Sequence, residues 1–155
     1  MNKYILSFLI TLFFLSSCAT AGSIKPIPQP LASPSDNWDV KLIQSGGIAG
    51  VLLTVDVSSD GQLKADDQRS QRSASKILPS QTIAELKGLV FNTVASTIRV
   101  PQSACADCFI YDLEIQSEGK VIKIQVDDVT VNGSSVQGLI TTLLKIRDEA
   151  LNPNP

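Results

Sequence analysis

From Trp38 onward, apolar and polar residues alternate. Trp38, Val40 and Leu42 are separated by Asp39 and Lys41, and Val51, Leu53, Val55 and Val57 repeat the pattern after a glycine-rich break. A period of two sends one set of side chains to a core and the other to water, so each stretch predicts a half-buried β-strand. Ser59-Asp60-Gly61 predicts the hairpin turn after the second strand, because Asp-Gly accepts positive φ. Gln62 to Ser70 predicts a third, polar strand at the sheet edge, whose charges discourage unwanted pairing.

The period then changes. After Pro79, with Ser80 as N-cap, Ile83, Leu86, Leu89, Val90 and Val94 fall on one face of a helix. Alternation returns at Phe109, Tyr111, Leu113 and Ile115, opposed by Asp112, Glu114 and Gln116. Glu118-Gly119 makes the turn, and Ile122, Ile124 and Val126 continue the pattern as the second arm of a hairpin. Asn132-Gly133-Ser134-Ser135 breaks the strand and caps a last helix, with Val136, Leu139, Ile140, Leu143 and Ile146 as its apolar face. The order β-β-β-α-β-β-α predicts an α+β fold: a two-layer structure, an antiparallel sheet with two helices packed on one face. We assign this domain to residues 38–151 and a disordered tail to 152–155.

The chain before Trp38 has a different character. Lys3 precedes an apolar run, Ile5 to Leu15, broken only by Ser7 and Thr11. Its 11 residues fall short of the roughly 20 that a helix needs to cross a bilayer. A charged start, a short apolar centre and small residues mark a secretory signal. Leu15-Ser16-Ser17-Cys18 resembles the lipobox of a bacterial lipoprotein. That resemblance implies a signal peptide over 1–17, diacylation of the Cys18 thiol, cleavage before it and acylation of the new amino group. An ordinary signal peptide cut near Ala19-Thr20-Ala21 is the alternative. Several acyl chains at about 0.8 kcal/mol per buried methylene make a stable membrane anchor. Residue 19 is Ala and not Asp, which in a Gram-negative host implies the outer membrane. The expected location is the bacterial cell envelope, held by lipid. Residues 18–37 carry Pro26, Pro28, Pro30 and Pro34 and read as a tether; at about 3.1 Å per residue it reaches roughly 50 Å.

Composition narrows the chemistry. The 155 residues carry a formal net charge of −2, which loss of Lys3 with the leader takes to −3. There is no basic run, and aromatics make up only 5%, so nucleic acid is not an expected partner. The chain has no histidine, which removes His-based triads and His-Glu-x-x-His zinc sites. We expect a protein that binds rather than catalyses, with no cofactor and no metal. Cys105-Ala106-Asp107-Cys108 reads as a disulfide closing a tight loop in an exported protein. The redox alternative prefers a helix N-terminus, whereas Phe109 and Tyr111 here open a strand.

Ser45-Gly46-Gly47-Ile48-Ala49-Gly50 joins the first two strands. Glycines there serve either a tight, bulged hairpin or a recognition loop that another backbone can approach. Strand, Ser-Gly-Gly-x-Ala-Gly, strand, helix, hairpin and closing helix, with Asp127-Asp128 ending the last strand, resemble the emfourin family. Those are small bacterial inhibitors of thermolysin-like (M4) metalloproteases, and the similarity spans about 38–150. The anchor, the tether and the Cys-x-x-Cys segment are additions to that pattern. The resemblance implies occlusion of a protease cleft without chemistry of the inhibitor's own. Ser45, Gly46, Gly47, Ile48, Ala49 and Gly50 are then the first candidate contact, and the loop from Arg99 to Cys108 the second. An envelope structural or assembly lipoprotein with no inhibitory activity is the competing expectation. Asp127 and Asp128 point to opposite faces of a strand, so they do not form an acid/base pair; a solvated strand end is expected.

Overall fold

The computed structural model describes residues 37–96 and 105–153. The signal peptide over 1–17, Cys18, nearly all of the tether, the Arg99 to Ala104 part of the second loop and the last two residues of the tail lie outside the described residues.

Among the described residues, six strands form one antiparallel sheet. They are β1 (Trp38–Gly46), β2 (Val51–Ser58), β3 (Gln62–Asp67), β4 (Arg72–Ile77), β5 (Phe109–Ser117) and β6 (Lys120–Asp127). Helix α1 (Ser80–Ala95) lies between β4 and β5 in the chain, and α2 (Gln137–Leu151) follows β6. The spatial order is β4-β3-β2-β1-β5-β6. A four-strand meander therefore runs outward from β1, and the β5–β6 hairpin pairs with the other edge of β1. The class is α+β, as the alternating and helical periods predict.

One face of the sheet carries the core. Trp38, Val40 and Leu42 on β1, Val55 and Val57 on β2, Leu63 on β3, and Leu113 and Ile115 on β5 are all at most 2% exposed. Leu86 and Val90 of α1, with Leu139, Ile140 and Leu143 of α2, close over them. Alternation along β1, β3 and β5 leaves the opposite face to water, as half-covered antiparallel sheets do.

Two details differ from the sequence reading. The predicted third strand over 62–70 ends at Asp67, and a fourth strand, β4, takes the edge position. The chain reverses because Asp67 Oδ1 accepts from the backbone N–H of both Arg69 and Ser70, at 3.1 Å each. Gln71 then adopts φ 53°. Strand β4, Arg-Ser-Ala-Ser-Lys-Ile, has no apolar alternation to announce it; of the three residues on its helix-facing side, Arg72, Ala74 and Lys76, only Ala74 packs against the core. The edge charges are thus Arg72 and Lys76 rather than those of β3.

The helix starts also differ. Ser80 is the first helical residue, and Pro79 holds the cap position; its carbonyl accepts from Ile83 N–H at 3.1 Å. At α2 no side chain caps Val136. Instead Gln137 Oε1 reaches back to accept from Gly133 N–H at 2.8 Å, and Ser134 Oγ donates to the Val131 carbonyl.

Candidate functional site

The two candidate loops meet at one end of the sheet. Strand register places Gly46 opposite Val51 on one side and Phe109 on the other. Gly47 N–H donates to the Cys108 carbonyl at 3.2 Å, and Gly50 N–H closes the turn on the Gly47 carbonyl at 3.0 Å. The described part of the second loop, Cys105 to Cys108, is therefore bonded directly to the first.

The glycines make this contact. Gly46 and Gly47 have φ of 90° and 68°, a region that other residues rarely adopt. A Cβ on Gly46 would lie 2.9 Å from the Cys108 carbonyl oxygen, and one on Gly47 would lie 2.5 Å from the Phe109 ring. Close approach to a backbone is thus met inside the molecule. Tight hairpin and candidate contact loop coincide here: the glycines pack inward while Ile48, at the tip, is 93% exposed.

Cys105 and Cys108 are joined as a disulfide, with Cα atoms 5.6 Å apart. The following residue, Phe109, starts β5, so the pair leads into a strand and not into a helix. The bond braces the segment whose last carbonyl holds Gly47.

Asp127 and Asp128 complete this end of the sheet. Asp127 is the last residue of β6, and Asp128 opens the turn that follows. The expectation of a solvated strand end is corrected: both are half-buried and both bind protein groups. Asp128 Oδ2 accepts from Phe109 N–H at 2.9 Å, and its Oδ1 from Tyr111 Oη at 2.8 Å. Asp127 Oδ1 accepts from the N–H of Val129 and Thr130, at 3.0 and 2.8 Å. The Asp127 carboxylate organises the β6–α2 turn, and the Asp128 carboxylate ties that turn to β5. Burial of Tyr111 and its hydrogen bond to Asp128 push its hydroxyl up to about 12.

The β3–β4 turn reaches the same tip, where Arg69 Nη1 donates to the Ala49 carbonyl at 3.1 Å. Around this bonded frame, among the described residues, stand three outward apolar side chains: Ile48, Val129 at 62% exposed and Ile110 at 38%. Ile48 and Val129 sit in turns, where no periodicity marks them; Ile110 is the outward residue of an alternating strand. Among the described residues no group of three or more His, Cys, Asp or Glu is placed to hold a metal ion.

In comparisons with known proteins, no family model matches the chain and no curated protein matches it.

Proposed function

We propose that this chain is a membrane-anchored extracytoplasmic binding protein that presents the Gly46–Gly50 tip to a protein partner and does no chemistry of its own. The partner we favour is a thermolysin-like metalloprotease, blocked by occlusion of its cleft. The observation that carries the reading is the bonded pair of loops, Gly47 N–H on the Cys108 carbonyl, beneath an Ile48 that is almost wholly exposed. An apolar side chain held out on a braced hairpin loses little conformational freedom on docking, which favours tight association. The order strand, glycine-rich hexapeptide, strand, helix, hairpin, helix supports the choice of partner class. Cys18 and the proline-rich segment supply the anchor and spacer in this reading.

The test is residual activity of several thermolysin-like proteases with the protein added in excess. Inhibition by the wild type, lost in Ile48→Asp, is expected. Full protease activity across the panel, together with co-purification of an envelope complex, would favour the assembly-lipoprotein alternative.

A further inference from the structure

The open face of the sheet carries a row of charges of alternating sign. Reading across the strands from β4 to β6, the register aligns Ser75, Lys64, Asp56, Lys41, Glu114 and Lys123. Adjacent members attract one another: Lys41 Nζ lies 3.8 Å from Asp56 Oδ1, and Lys123 Nζ 3.0 Å from Glu114 Oε2. All four of these side chains remain between 43% and 74% exposed.

We propose that this face docks a second copy of the chain, across a two-fold axis parallel to the strands and passing between β1 and β2. That boundary is the centre of the six-strand sheet. A two-fold interface sets one patch against itself, so its charges must be complementary under the operation. Here they are. The axis sets Lys41 against Asp56 of the second copy and Lys64 against its Glu114, and each pair occurs twice. A two-fold running along the row instead would set Lys41 against Lys41, which electrostatics disfavours.

The neighbouring row adds an apolar contact. It begins at Ile77 on β4, paired with Gln62, and ends at Val121 on β6, paired with Gln116. Both are large exposed hydrophobics, 68% and 51%. The same axis brings Ile77 of each copy to Val121 of the other. The row on the other side opposes Asp66 to Asp112, the one like-charge pair, which lies off the axis and limits the affinity.

Size permits the contact. Six strands at about 4.8 Å and seven residues at about 3.3 Å give roughly 29 by 23 Å. That is a projected area of roughly 650 Å² per copy, near the ~800 Å² per partner of a standard interface. The tip loops stand at one end of the sheet, so this contact leaves Ile48 outside it.

The experiment uses two differently tagged copies of the full chain, co-expressed and extracted in mild detergent, with co-purification as the readout. Wild-type copies co-purify. Lys41→Glu with itself sets Glu against Asp56, and Asp56→Lys with itself sets Lys against Lys41; recovery falls roughly tenfold or more in each. Lys41→Glu mixed with Asp56→Lys restores an opposite-charge pair at both positions, and recovery returns. Circular dichroism of each variant establishes that the fold is kept. Wild-type copies that do not co-purify, or variants whose self-pairing equals that of the mixture, overturn the proposal.

Discussion

Arg147, near the C-terminal end of α2, donates from Nη1 to Oε1 of Gln44 on β1 at 2.6 Å, across 103 residues of sequence. Both residues are buried, at 5% and 7% exposed. The other side of the guanidinium bonds Asp148 Oδ1, through Nε at 2.9 Å and Nη2 at 2.8 Å. This pair joins the last helix to the middle of the sheet, beside Tyr111, which faces Gln44 in the register.

Gln44→Leu removes the acceptor and leaves Nη1 buried beside an apolar group. It should lower stability by about 1–3 kcal/mol in urea unfolding. Arg147→Met keeps most of the stem and removes the charge, so it should cost less. The double variant should be more stable than Gln44→Leu alone. A Gln44→Leu protein as stable as the wild type would show that the pair contributes nothing.

Tyr111 predicts a loss of stability in alkali. Its hydroxyl is held up to about 12 against an ordinary value of 10, first by burial and then by its bond to Asp128. A raised folded value stabilises the protein fully below pH 10, and that contribution disappears as pH rises through 12. Unfolding free energy should therefore decline between pH 10 and 12. Tyr111→Phe should show a shallower decline over that window.

Asp67 acts at the other end of the scale. Hydrogen bonds from Ser70, first its hydroxyl and then its backbone N–H, lower its carboxyl to about 2 from 3.8. A lowered folded value gives a contribution present above 3.8 and lost as pH falls through about 2. The amide resonances of Arg69 and Ser70 should titrate together with a midpoint near pH 2. A midpoint near 3.8 would mean that the β3–β4 turn is not held by this carboxylate.

Gly47→Ala should be destabilising by roughly 2 kcal/mol, combining positive φ with overlap of the Phe109 ring. Ile48→Asp, one residue on, should change stability by less than about 0.5 kcal/mol, because its side chain is outside the fold. Denaturant unfolding of the two variants separates a packing position from a presenting one. Equal effects would contradict the geometry of the tip.

Replacing Cys105 and Cys108 by Ser opens a loop of sequence separation 3, which should cost no more than about 2 kcal/mol. The effect should be local. Hydrogen exchange at the Gly47 amide, bonded to the Cys108 carbonyl, should accelerate more than exchange at Leu42 in the centre of β1. Uniform acceleration along β1 would mean that the bond stabilises the whole sheet.

Much of the fold was legible because period carries burial. Trp38-x-Val40-x-Leu42 and Tyr111-x-Leu113-x-Ile115 mark half-buried strands, and the apolar stripes of both helices are in the sequence, although Thr93 of α1 and Arg147, Ala150 and Leu151 of α2 are buried beside them. Strand β4 was not legible. It lies at the edge, and the helix-facing side it presents is Arg72, Ala74 and Lys76, of which only Ala74 is apolar, so neither alternation nor hydrophobicity marks it. The turn before it depends on one carboxylate, Asp67, collecting local N–H groups.

The candidate site divides the same way. Ser45 to Gly50 stood out by composition, and Cys105 to Cys108 by spacing. That they touch follows from β5 pairing with β1, a contact between residues some 60 apart in the chain. Asp128 looked like the end of a strand; its work on Phe109 and Tyr111 arises only when the β6–α2 turn folds back.

The sequence by itself determined the inward apolar residues of the alternating strands, the glycine turns at Gly61 and Gly119, and the α+β class, since these depend on near neighbours and on the period of side-chain direction. Tertiary structure decided the strand order, the meeting of the two loops, the Gln44–Arg147 bond and the charge row on the open face. Each of those depends on which strands lie side by side, and pairing between distant segments is set by the whole core rather than by any local pattern.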